Sequence, residues 1–192
     1  MCSRRVYTLR VCDVEGVDIW AEYCTFNFGD GRAGLRMSSR EVVEAFLTFR
    51  VAQDVESACA LLHNDIVYRL HVANSNLPFA GDLRGVDAAR NALFSILEDF
   101  DYLRYEPTII SVRGNFVRAQ ISFKYCHRNT GGVLEGTRRL EFKVRGDKIA
   151  VIEGYHDAKL VETFMKLTAQ RLANNQLVRL PVLPKRERQR SE

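Results

Sequence analysis

The sequence predicts an α+β protein in which a conical, barrel-like curved antiparallel sheet wraps over about three helices, with an added C-terminal helix. Three observations support this prediction. Alternating apolar residues are concentrated between Thr108 and Asp157, helical periodicity is concentrated between Ser38 and Phe100, and turn-forming residues separate the segments. Because helices gathered on one face of a bent sheet leave a hollow, we expect a pocket suited to a small molecule.

Composition and charge favour one globular domain. The chain has 192 residues, of which 46% are hydrophobic, so it has room for a substantial core. The net charge of +4 is modest, which predicts no nucleic-acid partner. No window approaches the roughly 18 apolar residues of a membrane span, and no secretory signal is evident, so we expect no membrane partner and a cytoplasmic location.

Three regions are predicted along the chain. Residues 1–37 form an N-terminal extension of uncertain structure, residues 38–174 form the main domain, and residues 175–192 form a basic tail that we expect to be disordered. The glycine-rich run at residues 29–34 lacks the Lys-Ser/Thr ending of a phosphate-binding loop. Five cysteines without a CxxC spacing argue against a disulfide framework and a zinc site, and we predict no metal and no cofactor.

The helices are predicted from caps and apolar stripes. Ser38 and Glu41 have the spacing of a capping box and predict a helix start. Asp54 is expected to cap a second helix that reaches Leu62 and ends at the following Asn-Asp pair. A short strand over 66–72, a loop over 73–85, a helix over 86–100 and a last helix after Asp157 complete the prediction.

Three strands follow from period-two alternation. The first places Val117, Ala119, Ile121, Phe123 and Tyr125 on one face, and the second does the same for Arg138, Leu140, Phe142 and Val144. The third, Lys148–Asp157, follows a tight turn and is expected to complete an antiparallel meander. One of its faces begins apolar and continues as Glu153, Tyr155 and Asp157, which is typical either of a pocket mouth or of a strand that emerges into solvent.

Three sequence motifs carry a family resemblance. They are residues 54–56 (DVE) with 61–65 (LLHND), residues 77–85 (LPFAGDLRG), and residues 146–149 (GDKI) with 155–157 (YHD). With these motifs in this order over roughly residues 40–170, the chain resembles the nuclear transport factor 2-like superfamily. Within it, the chain looks like the SnoaL-like group, which resembles polyketide cyclases, ketosteroid isomerase and limonene epoxide hydrolase. This fold hosts enzymes and non-enzymatic binding modules alike.

The resemblance allows the catalytic residues of two known enzyme classes to be compared with this sequence. In an ungapped register, the positions of the isomerase base and its two oxyanion donors fall at Leu70, Phe46 and Leu140, which are all apolar. A one-residue gap brings His71 to the base position, although its parity with Arg69 also allows an outward, solvated histidine. That isomerase activity is therefore not expected without such a gap.

The epoxide hydrolase comparison is incomplete as well. Asp157 matches the last aspartate of the family's triad, but the other members are missing, and an aspartate at a helix start can simply act as a cap. The resemblance to cyclases leaves Asp157 and His71 as candidate catalytic residues, with His156 a further acid–base candidate.

Six residues are candidate substrate contacts. Tyr68 and Tyr155 are expected to donate hydrogen bonds to a ligand carbonyl, while Arg138 either holds an acidic ligand or is exposed at the start of its strand. The complete set is Tyr68, Tyr155, His156, Phe123, Tyr125 and Arg138.

The sequence therefore predicts a domain that binds a hydrophobic small molecule in the cone, with cofactor-free acid–base chemistry of an isomerase, cyclase or dehydratase type left open. The alternative is a non-catalytic module for protein interaction or dimerisation. The resemblance implies a homodimer through the outer sheet face, which includes Arg118, Gln120, Ser122 and Lys124.

Overall fold

A computed structural model describes residues 37–71 and 81–178, with side chains up to residue 174. Four helices are present in these ranges: α1 (Ser39–Val51), α2 (Val55–Ala60), α3 (Val86–Asp99) and α4 (Ala158–Val178). The six strands are β1 (Leu62–His71), β2 (Gly81–Arg84), β3 (Phe100–Arg113), β4 (Phe116–His127), β5 (Val133–Arg145) and β6 (Lys148–Tyr155). The predictions for residues 1–36, for most of the 73–85 loop and for the end of the tail lie outside the described residues.

The strands form one curved, unclosed sheet in the order β2-β1-β6-β5-β4-β3, with α1 and α3 packed against it. This arrangement confirms the predicted α+β fold. The sheet is mixed, however, and not antiparallel throughout, because β1 and β6 run parallel. Parallel neighbours need a long crossover, and the chain between β1 and β6 supplies one that includes α3 and four strands.

Both predicted helix caps in the first half of the chain are confirmed. The Ser38 hydroxyl accepts from the Glu41 amide at 3.3 Å, and the Glu41 carboxylate accepts from the Ser38 amide at 2.7 Å. Asp54 accepts from the Ser57 amide at 3.0 Å and begins α2. Local hydrogen bonding therefore determines where both helices begin.

Helix α2 is shorter than predicted. It ends at Ala60, and Leu62 pairs with Ile149 of β6 within the sheet. The Ile149 amide also donates to the Leu61 carbonyl at 2.9 Å. Pairing with a distant strand therefore overrides the helical spacing of the local sequence, and the Asn64-Asp65 pair lies inside β1 instead of ending the helix.

Strand β3 was not predicted. Its pairing with β4 shifts register between Tyr102 and Arg104 and again between Ile109 and Ser111. Each irregularity inserts an unpaired residue and reverses the alternation, so the strand has no continuous period of two. The short strand β2 was missed as well, since Gly81–Arg84 lies inside the predicted loop.

The predicted inner faces of β4 and β5 are confirmed. All nine residues are buried, namely Val117, Ala119, Ile121, Phe123 and Tyr125 on β4 and Arg138, Leu140, Phe142 and Val144 on β5. Phe142 also meets Phe46 of α1 edge to face, with ring centroids 5.9 Å apart. This face is the floor of the cone.

The predicted face of β6 is wrong beyond its first residue. Lys143 pairs with Val151, whereas Val144 pairs with Ile149, so Ala150 is an unpaired bulge residue. A one-residue bulge moves every later side chain to the opposite face. Ile152 and Gly154 consequently face the core, and Tyr155 faces outward beside its partner His71.

Candidate functional site

A cavity lies inside the described core, between the inner face of the sheet and helices α3 and α4. Its volume is about 50 Å³. The residues that line it are Leu70, Ile96, Phe100, Phe123, Tyr125, Leu134, Arg138, His156, Val161 and Met165. Seven of these ten side chains are wholly apolar, and none carries a carboxylate. The cavity therefore combines an apolar wall with three polar groups.

Four of the eight predicted site residues meet at this cavity, namely Phe123, Tyr125, Arg138 and His156. Phe123 and Tyr125 stack with ring centroids 4.7 Å apart and form part of the wall. Tyr68 is buried on β1 but is not among the lining residues. Asp157, His71 and Tyr155 do not line the cavity either.

Arg138 is buried, with 6% of its surface exposed. The alternative in which it is exposed at a strand start is wrong, because β5 begins at Val133 and Arg138 lies in its interior. Its Nη2 donates to the Tyr105 hydroxyl at 3.1 Å, and its guanidinium lies 5.5 Å from the centroid of the Tyr105 ring. Arg138 therefore brings a permanent positive charge into the core.

A second buried arginine was missed by the sequence analysis. Arg50 of α1 is 2% exposed, and its Nη2 donates to the Tyr102 hydroxyl at 2.8 Å. The sequence did contain a signal, because Arg50 follows Val43, Phe46 and Leu47 at helical spacing and so continues the apolar stripe. A charge at the end of such a stripe is easily read as the point where the helix reaches solvent.

The two arginines act on the tyrosines around them. Burial by itself raises the pKa of Tyr105, but Arg138 and Arg50 lower it, and the net direction is downward. For Tyr125, burial is the largest effect and raises the pKa well above its usual range. Tyr125 is therefore a neutral hydrogen-bond donor, and Tyr105 is the more acidic phenol of the cluster.

His156 is a neutral imidazole at physiological pH. Burial, followed by the nearby charge of Arg138, lowers its pKa to about 3. Its Nδ1 atom is buried without a hydrogen-bond partner among the described residues. So weak a base is poorly matched to proton abstraction near neutral pH, because an efficient catalytic base has a pKa near the working pH.

Asp157 has a structural role. Its carboxylate accepts from the Leu160 amide at 3.0 Å, and its carbonyl accepts from the Val161 amide at 3.1 Å, so it caps the start of α4. Such a cap is worth about 1 kcal/mol. The side chain is exposed, which places it in solvent and away from the cavity.

His71 and Tyr155 lie together on the outer face of the sheet. Their rings stack at 4.5 Å, and the Tyr155 hydroxyl donates to Glu153 at 2.7 Å. Arg69 bridges the same carboxylate at 2.7 Å and Asp82 at 2.9 Å. The hydrogen bond from Tyr155 lowers the pKa of Glu153, with Arg69 and His71 contributing in the same direction. The bulge in β6 turns Glu153 and Tyr155 to this face, and His71 lies there by its alternation with the buried Leu70, so the cluster is separate from the cavity.

The described part of the chain shows no metal site and no membrane span. No group of three or more His, Cys, Asp or Glu side chains in residues 37–71 and 81–174 is arranged to hold a metal ion. Among the helices that the structure describes, none is long and apolar enough to cross a membrane.

The curved mixed sheet and its packed helices correspond to the NTF2-like α+β cone fold. Residues 43–152 match the family model described as the SnoaL-like domain. The chain therefore belongs to the SnoaL-like domain family. A search of curated protein sequences found no significant match.

Solved structures share this fold at low sequence identity. A Mesorhizobium loti protein provisionally named a SnoaL-like polyketide cyclase is 16% identical, with a TM-score of 0.54 over 62% of this chain and 100% of that chain. A Bacillus subtilis protein provisionally named an isomerase is 17% identical, with a TM-score of 0.58 over 67% and 92%. TerC, co-crystallised with polyporic acid, is 15% identical, with a TM-score of 0.59 over 67% and 98%. At these identities the likeness shows the fold.

Proposed function

We propose that this SnoaL-like domain binds a small organic molecule whose apolar part enters the cavity of the cone. The observation that carries the proposal is the composition of the cavity wall, in which seven apolar side chains surround a few convergent polar groups. This combination is typical of small-molecule sites. The co-crystallisation of one structural relative, TerC, with polyporic acid is consistent with it.

The size of the cavity limits what enters it. A volume of about 50 Å³ is small beside the roughly 300–1,000 Å³ of common ligand pockets. A head group of a few heavy atoms fits, and a larger ligand requires the wall to move. Because none of the described residues that line the cavity carries a carboxylate and His156 is a weak base, binding is better supported than acid–base catalysis.

The test is a thermal-shift screen with small cyclic and branched apolar molecules, with and without polar heads. A molecule that binds the folded state stabilises it by RT ln(1 + [L]/Kd), or about 2.7 kcal/mol at 100 times Kd. We expect at least one class to raise the melting temperature in a dose-dependent way. Uniformly flat responses would contradict the proposal.

A variant whose cavity is filled by a larger side chain is the matched control for that screen. Val161 of α4 lines the cavity, so Val161→Phe should remove the thermal shift. Leu167→Phe on the same helix changes an exposed residue and should keep it. Equal loss in both variants would show that the shift does not report on the cavity.

A second candidate function is self-association through the sheet. Strand β3 lies at an edge of the sheet, and large apolar side chains are exposed along it at Leu103, Ile110 and Val112. An exposed apolar edge is a common site of pairing with another chain. We propose a homodimer that uses this edge and the adjoining outer face, which includes Arg118 and Lys124.

Sedimentation measurements test the homodimer. We expect the wild-type protein to sediment as a dimer and a Leu103→Lys/Ile110→Lys double variant to sediment as a monomer with an unchanged circular dichroism spectrum. A monomeric wild-type protein, or a dimer that survives the double substitution, would contradict this interface.

A further inference from the structure

Two arginines are buried in the core without an acidic partner. Arg50 and Arg138 lie on α1 and β5, and no carboxylate of the described residues approaches either guanidinium within 4.0 Å. Their side-chain hydrogen bonds go to the hydroxyl groups of Tyr102 and Tyr105. Since arginine does not lose its proton in proteins, the described core holds two positive charges and no matching negative charge.

Three residues that line the cavity beside them carry buried, unsatisfied polar atoms. Arg138 Nε, Tyr125 Oη and His156 Nδ1 are all buried without a hydrogen-bond partner among the described residues, and all three residues line the cavity. Arg138 and Tyr125 are 6% and 5% exposed. Native proteins rarely leave such groups unpaired, and a bound partner would satisfy them.

The chemistry of these groups specifies that partner. Arg138 offers an N–H donor and a full charge, and Tyr125 offers a hydroxyl that burial keeps protonated. Both suit an oxygen anion. Arg50 adds a second charge behind the tyrosine layer, and the lowered pKa of Tyr105 indicates that both arginines make this region electropositive.

The apolar wall favours an organic acid over an inorganic ion as the ligand. Leu70, Ile96 and Leu134 offer no donors, so a highly hydrated ion such as phosphate would lose most of its hydrogen bonds there. A monoanion with a hydrocarbon body satisfies both halves of the site.

We propose that the cone recognises small hydrophobic carboxylic acids, whose carboxylate pairs with Arg138 and accepts from Tyr125 while the hydrocarbon part lies against the apolar wall. This inference rests on the proposed binding function and adds the chemical class of the ligand.

The experiment compares carboxylates with neutral amides of the same shape. Binding of acetate, propionate, butyrate, isobutyrate and benzoate is measured by NMR titration beside binding of the corresponding primary amides. A hydrogen bond to a charged group predicts carboxylates that bind about 10- to 100-fold more tightly than their amides. Affinity should also rise with hydrocarbon content until the cavity is full.

Substitutions test whether Arg138 causes the preference for carboxylates over amides. In Arg138→Met, carboxylate affinity should fall by about 10- to 100-fold while amide affinity changes little. Arg84→Met removes an exposed arginine from β2, at the sheet edge opposite the proposed dimer edge, and is the matched control, with wild-type affinities expected. Arg138→Lys keeps the charge but loses the Nε donor, and it should bind carboxylates with intermediate affinity.

A second readout does not depend on the fold of any variant. A carboxylate beside Arg138 changes the electrostatic field at His156, so the imidazole resonances of His156 in the wild-type protein at pH 7 should shift when butyrate is added and should shift much less with butyramide.

The outcomes separate the two proposals. Preferential, Arg138-dependent binding of carboxylates supports both. Equal binding of acids and amides would overturn the anion proposal and leave the proposed function intact. Binding of neither series would count against both, and chloride or phosphate binding as tightly as butyrate would overturn the organic part of the inference. A tyrosinate absorbance near 295 nm at pH 7 would also overturn it, since Tyr105 would then be the counter-ion.

Discussion

Lowering the pH from 7 to 4 is expected to destabilise the wild-type protein by roughly 2 to 4 kcal/mol more than a His156→Phe variant. The reason is the pKa of His156, which burial and Arg138 lower to about 3, whereas an unfolded histidine titrates near its ordinary value of 6.5. Between these values the unfolded state binds a proton that the folded state does not.

The direction of the pH effect follows from this difference between the folded and unfolded pKa of His156. The contribution of His156 to stability is complete above about pH 6.5, and it is lost progressively as the pH falls toward 3. Arg138 and Tyr125 are the other ionisable groups at the cavity, and neither changes charge in this range. The difference in pH dependence between wild type and His156→Phe therefore reports the titration of the His156 imidazole.

The measurement is urea unfolding at several pH values between 4 and 7. If wild type and His156→Phe lose stability in parallel, the imidazole is not held neutral by its surroundings.

Replacing Arg138 by methionine is expected to raise the free energy of unfolding of the ligand-free protein by about 1 to 3 kcal/mol. Burying an ion costs several kcal/mol, and no described carboxylate offsets this cost at Arg138, whereas the hydrogen bond to Tyr105 contributes only about 1 kcal/mol. Methionine keeps a similar length and adapts to irregular packing. Stability would increase while carboxylate binding is lost, as is common at functional sites.

The measurement is chemical denaturation in a low-salt buffer without carboxylate ions, since a bound anion would mask the gain. Arg84→Met, at an exposed position of the same sheet, should change stability by less than about 0.5 kcal/mol. A loss of several kcal/mol in Arg138→Met would mean that the folded chain itself neutralises this charge, which would also weaken the anion proposal.

Local sequence signals predicted the parts of the fold that local interactions control. The caps at Ser38 and Asp54 depend on side chains three residues apart, and the inner face of β4 depends on a strict alternation that no bulge interrupts. The motif resemblance added the class of fold, which the family match and the solved structures confirm.

The candidate site was predictable only in part, for an identifiable reason. Phe123, Tyr125 and Arg138 lie on strands whose alternation is regular where they occur, so their inward direction could be counted from the sequence. Tyr155 follows the bulge at Ala150, and a single unpaired residue is invisible to a count that assumes period two. His156 shares that shift, which turns it inward and moves Tyr155 to the outer cluster.

The sequence by itself determined an α+β cone with an apolar inner face and one charged residue, Arg138, among the apolar positions of that face. Only the tertiary structure decided that Arg138 is buried, that Arg50 joins it from α1, and that His156 takes the place at the cavity that had been expected for Tyr155. The physical reason is that burial, register and charge compensation depend on strands and helices far apart in the chain, whereas caps and alternation depend on neighbours.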